Sequence, residues 1–422
     1  MLISCRGDET LKYGVIVTTP MHSKKEKFIN IGDAFQAIAI LRIYKEIGIK
    51  EDEIIFIDFN DLMEYNGEYV LLPICMNLQL DYRVIPLPPR IIPCFIGLSL
   101  FMQDKLPANV SSYLRKFEPI GCRDEQTLKS LRDYDIDVYL AGCVTATLEK
   151  RKDDCNRNTI YCVDLTDEMI EKIPEFVYKN HQIKKCSHIF KDDECRDYSY
   201  NMHLGEQLLN EYRDNACLVI TSRLHALSPC MAMGIPVIGL FSNISPRMAW
   251  IDRLVKLYTV EDMEYIDWNG HIVDYEDIKI KMKNNIIQKI KKTKRKYSDV
   301  LDVSYFFENR EKALYGSHYY IKAKELPEEH FKYIIWGGGQ IAIQLVEVLK
   351  DCCPQGELIG VIDSYIHGKS FKGITIEKPE AVQEKYMDIL CINATYSGRD
   401  FVSKYMKKIN KNNWVDFSSV NG

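Results

Sequence analysis

No Cys-x-x-Cys pair occurs anywhere in the 422 residues, although the chain carries 14 cysteines. Thiols scattered in this way, mostly within apolar runs (Cys75, Cys94, Cys162, Cys217, Cys230, Cys391), do not form a disulfide scaffold and read as buried free thiols in a reducing cytosol. Clustered Cys and His at short spacings are also missing, which argues against a zinc centre and against metal dependence. No segment approaches the ~20 unbroken apolar residues of a membrane helix. The nearest, Ile91–Met102, is short and has the character of a buried strand. Met1–Glu9 is mixed polar, without the basic head and apolar stretch of a secretory leader, so a cytoplasmic protein is expected. Net charge is small as well: 55 basic against 60 acidic residues leave −5. That balance excludes broad electrostatic contact with nucleic acid but leaves room for a local basic pocket. The rest is ordinary for a folded chain of two or three domains, 46% hydrophobic and 27% charged.

Short β-rich runs alternate with helical stretches, the pattern of an α/β protein with largely parallel sheets. Strands are predicted at Tyr13–Thr18, Ile54–Ile57, Tyr69–Leu72, Cys94–Leu98 and Val138–Leu140, and helices at Asp33–Ile47, Val110–Lys116 and Glu125–Arg132. The polar stretch Glu149–Asn158 reads as a hinge between a first lobe (1–150) and a second (151–315). The second lobe is predicted to hold strands at Thr159–Val163, Lys184–Ile189, Cys217–Ile220 and Pro236–Phe241. Its helices are expected at Asp167–Tyr178, kinked by Pro174, at Tyr200–Tyr212 and from Ser222 onward. Two such lobes would face a cleft at the carboxyl ends of their strands. Tyr275–Val300 is a basic helix with Ile278, Met282, Ile286, Ile287 and Ile290 on one face. It reads as a solvated helix, with peripheral contact to the inner membrane face as the alternative.

Three segments carry chemistry. In Leu218–His225 a buried strand ends at Ile220, a small hydroxyl residue offers a helix N-cap, and Arg223 and His225 fall in the first turn. Free backbone N–H groups and a guanidinium fork there suit a carboxylate or phosphate; the alternative is that Arg223 pairs with a structural acid. Pro229 should keep this helix short or kinked, and Gly234 should stop it. In Gly121–Glu125, Asp124 caps a helix and Arg123 projects from a strand-to-helix junction, where a surface salt bridge is the plain reading. In Asn30–Gln36, reached from the first strand through a polar loop, Gly32 permits a close turn and Asp33 can cap a helix or accept a proton from a sugar hydroxyl.

Taken together, and from about Lys12 to Asp262, the chain resembles the polysaccharide pyruvyl transferases. The matching motifs are Asn30, Gly32 and Asp33, then Pro119–Asp124 with Leu140-Ala141-Gly142-Cys143. The most specific is Val219–His225, followed by Pro229 and Gly234–Ile238. His188 and Arg247 match more loosely, and Ala226 departs from the usual Gly or Cys. The resemblance implies a two-lobed fold like the B-type glycosyltransferases, phosphoenolpyruvate as donor, and a glycan or lipid-linked oligosaccharide carrying a hydroxyl pair as acceptor. No cofactor is implied. Arg123, Arg223 and His225 would line the donor site, with His225 as proton donor or phosphate partner and Asp33 or His188 on the acceptor side. Asn30, Gly32, Gln36, Ser222 and Arg247 would contact substrate.

The last stretch, 316–422, restarts a β-α-β pattern and reads as a small Rossmann-like domain. Tyr333–Ala342 satisfies G-x-G-x-x-A, and Asp363 ends a second strand 24 residues beyond Gly339. Gly337, Gly339 and Asp363 are thus candidate nucleotide-binding residues, although only one mononucleotide-binding half fits in the length left. Two other readings compete with pyruvyl transfer: glycosyl transfer from a nucleotide sugar, and a non-catalytic nucleotide sensor or scaffold.

Overall fold

The computed structural model describes residues 11–19, 21–22, 27–76, 85–100, 106, 108–152, 157–192, 196–270, 272–295, 323, 326–339, 342–343, 345–346, 349–350, 353–395 and 398–417. The chain divides into two compact units, Met1–Met102 with Tyr113–Phe307, and Gln103–Ser112 with Glu308–Gly422.

The first unit contains two parallel sheets. One has six strands in the order Ile54–Asp58, Lys12–Val17, Val70–Ile74, Ile91–Leu98, Ile120–Cys122 and Val138–Leu140. The other has five, Gln182–Cys186, Thr159–Val163, Ala216–Thr221, Val237–Phe241 and Leu257–Thr259. Val70–Ile74 and Ile91–Leu98 are buried along their whole length, as expected of near-continuous apolar runs in a parallel sheet. An α/β fold is therefore established for this unit.

The helix Ile31–Glu46 is buried almost all round, from Ile31 to Tyr44, and shares one apolar core with residues of both sheets. A helix apolar on every side belongs in an interior, and this one lies in contact with the strand Lys12–Val17 and the helices Tyr198–Asn215 and Leu224–Ala232. Gly205 allows the close approach of Tyr198–Asn215, since a Cβ there would come within 3.1 Å of the Ala34 Cβ.

Several predicted boundaries shift for local reasons. The polar loop before Asn30 contains a strand, Lys27–Asn30, which pairs antiparallel with Ile189–Lys191 from the second lobe and with Met21–His22. The single strand predicted over Lys184–Ile189 is two, Gln182–Cys186 and Ile189–Lys191, because its end leaves the parallel sheet to make that pairing. Asp167–Tyr178 is broken into Asp167–Glu171 and Glu175–Tyr178, with Pro174 as the cap of the second piece. The helix predicted from Ser222 begins at Leu224 with Arg223 at its N-cap, because the Thr221 hydroxyl takes the Arg223 N–H at 2.9 Å. Pro229 sits inside this nine-residue helix, and Gly234 ends it at φ +69°. Residues 153–156 of the predicted hinge and 296–300 of the basic helix lie outside the described residues.

The basic helix, Glu276–Arg295, is not simply solvated. Ile278 is 45% exposed, whereas Lys279 is 3% exposed. The Lys279 ammonium donates to the carbonyls of Leu148 at 3.2 Å and Ala232 at 2.9 Å and pairs with Glu276. Ala232 closes the helix that begins beside Arg223, so this lysine ties that helix to the end of the first lobe. Lys289 holds the carbonyls of Phe117 and Pro119, and Lys294 the Tyr13 hydroxyl at 2.7 Å. Among the described residues no helix is long and apolar enough to cross a membrane.

The second unit is a six-stranded sheet in the order Ser370–Phe371, Ile374–Glu377, Gly356–Ile362, Phe331–Trp336, Leu390–Asn393 and Trp414–Asp416, parallel except at the first pair. Residues 340 and 341 of its glycine motif lie outside the described residues. Substituting Lys279 by Met should strand two buried carbonyls and cost roughly 2–4 kcal/mol. Denaturant unfolding would measure it, and a change under ~0.5 kcal/mol would contradict the role given to this lysine.

Candidate functional site

The carboxyl ends of both parallel sheets, together with the start of the buried helix, supply the site. Asn30 caps the Ile31 helix, its Oδ1 accepting from the Gly32 N–H at 3.1 Å, and the neighbouring Ile31 N–H donates to the His188 carbonyl at 2.8 Å. That bond brings the first-lobe motif to the second lobe. Gly32 does not serve a tight turn, as its sequence position first implies; it lies within the helix. A Cβ on it would come 2.8 Å from His225 Nδ1, so the glycine is what lets the first helical turn rest against the imidazole.

Asp33 stands in this turn, accepting from Asn30 Nδ2 at 3.2 Å and Gln36 Nε2 at 3.4 Å. Burial raises its pKa to about 6, and the charge of Arg123 and the Asn30 bond only partly offset the rise. Gln36 Oε1 is buried and has no partner.

Arg123 follows the strand Ile120–Cys122, and its backbone N–H is held by the Leu98 carbonyl at 2.7 Å. The residue is 3% exposed, and its guanidinium has no hydrogen-bond acceptor among the described residues. Its charge is felt by Asp33, His225 and Arg247 alike. Arg247 comes from a single-turn helix, Pro246–Met248, in the second lobe. Its Nη2 donates to Ser99 Oγ at 3.3 Å, while its Nε is buried with no acceptor. Burial first, and then repulsion from Arg123, lower its pKa to about 10. Ser99 in turn donates to Asp124, which caps the helix Glu125–Arg132.

Arg223 does pair with an acid, its Nε donating to Asp164 Oδ2 at 2.9 Å. Burial alone would raise the Asp164 pKa, but bonds from Ser187 and the His188 N–H and the charge of Arg223 hold it below the usual value. Asp164 is at φ +50°, just beyond the strand Thr159–Val163, and its carbonyl accepts from the Ser222 hydroxyl at 2.6 Å. The side chain of Arg223 is 39% exposed, and its terminal amino groups have no acceptor among the described residues. Asp164 therefore aims the fork by one edge and leaves the other open.

His225 is pushed well below the ordinary histidine range, chiefly by burial and then by Arg123, His188, Arg247 and Arg223. Its Nε2 is buried without a partner, so a neutral imidazole faces the cations. His188 is sealed at 1% exposure, its Nε2 bonded to the Tyr212 hydroxyl at 2.8 Å and its ring edge-on to Phe35. Burial lowers its pKa to about 4.

Sequence reasoning missed Asp164 and Ser99. Each is the residue immediately after a strand, the one available signal. Tyr212, behind His188, lies in the last turn of the helix Tyr198–Asn215 and gave none.

In the second unit Gly337 and its neighbour Gly338 meet the strand end at Ile362 and Asp363, while the Gly339 carbonyl accepts from the Ile343 N–H at 3.2 Å. Gly337 has φ +115°, and its N–H donates to the Ile362 carbonyl at 2.7 Å. The Asp363 carboxylate accepts from Gly338 N–H at 2.9 Å, Tyr365 N–H at 2.8 Å and Ile366 N–H at 3.2 Å. A ribose hydroxyl would have to compete with these three backbone donors.

Asp33 also makes a stability prediction. Below pH 3.8 its carboxyl is protonated in both folded and unfolded chains. As pH rises toward about 6 the unfolded chain ionises first, so native stability falls. Asp33→Asn should thus be more stable than the parent at pH 8 by on the order of 1–3 kcal/mol, with the gap closing near pH 4. Equal urea midpoints at both pH values would contradict the raised carboxyl pKa.

Among solved structures, a Rex-family repressor is 13% identical at a TM-score of 0.19, over 33% of this chain and 65% of the repressor. The repressor bound to β-NADH is 12% identical at 0.19, over 32% and 65%. The chain thus spans just under two thirds of the repressor's length. A functionally uncharacterized protein from Klebsiella pneumoniae subsp. pneumoniae NTUH-K2044 is 13% identical at 0.36, over 57% of this chain and 88% of that one. No curated protein matches. The family model for polysaccharide pyruvyl transferase matches residues 30–243, half of the chain. Since that span runs from the Asn30 cap past the Arg223–His225 turn, the chain belongs to the polysaccharide pyruvyl transferase family.

Proposed function

We propose that this transferase moves pyruvate from phosphoenolpyruvate to a pair of hydroxyl groups on a glycan or its precursor, forming a ketal. The observation that carries the reading is the buried Arg123 guanidinium, without an acceptor among the described residues and near enough for its charge to bear on Arg247. Like charges kept out of water in this way favour a compact anion. Phosphoenolpyruvate carries a carboxylate and a phosphate on three carbons, and Arg123, Arg247 and the open edge of Arg223 form a three-sided set of forks for it.

The chemistry follows from the charges. His225 is neutral beside the cations alone, but an entering polyanion reverses the local field and raises its proton affinity. It can then pass a proton to the methylene carbon, which becomes a methyl group, while positive charge develops at the adjacent carbon. An acceptor hydroxyl attacks there as Asp33 takes its proton. The carbon–oxygen bond to phosphate breaks, phosphate leaves into the arginines, and the second hydroxyl closes the ketal with loss of its own proton. Asp33 suits the base because its pKa, about 6, keeps it ionised yet basic near neutrality. His188, sealed behind Phe35 and Tyr212, backs the site without touching substrate.

Purified protein incubated with phosphoenolpyruvate and a panel of galactose, mannose and N-acetylhexosamine acceptors should release phosphate only when an acceptor is present. With no acceptor-dependent release, or release driven by a nucleotide sugar, the reading is wrong. Arg247→Met and Arg223→Lys should each raise KM for phosphoenolpyruvate about ten-fold or more. In the parent enzyme kcat/KM should fall below about pH 6 as Asp33 takes up its proton. An acid limb that survives in Asp33→Asn would assign the base elsewhere.

A further inference from the structure

A second recess in the first unit is unused by this chemistry. Its cavity volume is about 290 Å³, at the lower edge of the range of small-molecule sites. Its walls are apolar and aromatic: Tyr139, Leu140, Trp250, Leu254, Tyr275 and Met282. Gly142, at φ +72°, leaves room for the indole, since a Cβ there would lie 3.2 Å from the ring. Leu140 is 37% exposed and Ile278 is 45% exposed, so the apolar lining continues to the surface.

The charged groups of this recess are both cations. Arg253 and Lys281 are exposed lining residues, with Asn285 beside them, and among the described residues that line it there is no Asp or Glu. Arg253 pairs with Glu125, which is outside the lining, so Lys281 gives the open side its net positive charge. Trp250 is 6% exposed, and its indole N–H is buried with no acceptor.

We infer that this recess binds an anionic amphiphile, with an apolar chain along the aromatic walls and a phosphate or carboxylate head at Lys281 and Arg253. A bare sugar is a poor fit, because it would leave the apolar side chains of Leu140, Leu254 and Met282 unmatched. A fully apolar ligand would leave the cations unused. The inference does not depend on the donor site: Arg123, Arg223 and His225 take no part in the lining.

Titration calorimetry on the full chain tests it with dodecyl phosphate and laurate, each below its micelle concentration, and with dodecanol and inorganic phosphate as the separate halves. At least one amphiphile should bind saturably at one per chain and more tightly than either half, the tighter of the two naming the head group. Lys281→Glu, at an exposed position that leaves the fold intact, should weaken binding about five-fold or more. Met282→Glu, which puts a charge against the chain, should abolish it. Absence of saturable binding, or affinity unchanged in both variants, would overturn the inference. So would methyl galactoside binding that Met282→Glu removes, since the recess would then be a sugar site.

Discussion

Guanidinium groups gathered out of water repel one another and lose their hydration, and here the chain's own acids offset little of either cost. Arg123 has no acceptor among the described residues, Arg247 keeps an unpaired Nε, and Arg223 gives Asp164 only one edge of its fork. Asp124, close enough to bear on Arg247, is occupied with Ser99 and with capping a helix. Burial first, and then the excess positive charge, depress both Arg247 and His225. Such an arrangement is a standing preference for an anion, and the proposed chemistry follows from letting that anion arrive.

The fold bears this cost by rigid placement. Both parallel sheets deliver their strand ends to one region, and the Ile31 helix lies between the lobes within a single apolar core. The antiparallel pairing of Lys27–Asn30 with Ile189–Lys191 sets the start of that helix against His188, and Gly32 lets it touch His225. Lys279 anchors the far end of the histidine-bearing helix. Each contact uses backbone groups or a buried ion, so the imidazole and the Asp33 carboxyl have little freedom to drift apart.

Much of this was legible in the sequence where local chemistry dominates. The strands Val138–Leu140 and Thr159–Val163 and the helix Glu125–Arg132 fall where their apolar patterns and caps place them. Gly234 ends its helix as a left-handed glycine should. Long-range pairing was not legible. Nothing in Lys27–Asn30 signals that its partner lies in another lobe, and Lys279 reads as one more surface lysine until its two carbonyl acceptors are seen. Arg223 presented both options, an anion or a structural acid, and the structure combines them. The Asp363 motif resembles a dinucleotide fingerprint, yet its carboxylate is bonded to its own backbone, a detail fixed by the turn at Tyr365 and Ile366.

The central claim is that a small polyanion occupies the space among Arg123, Arg247, Arg223 and His225 and draws a proton onto the imidazole. Calorimetric titration of the protein with phosphoenolpyruvate at pH 7, repeated in buffers of different ionisation enthalpy, measures both parts at once. Saturable binding with net proton uptake, lost in Arg123→Met, is the expected result. Binding without proton uptake, or binding that survives loss of the Arg123 guanidinium, would contradict the account.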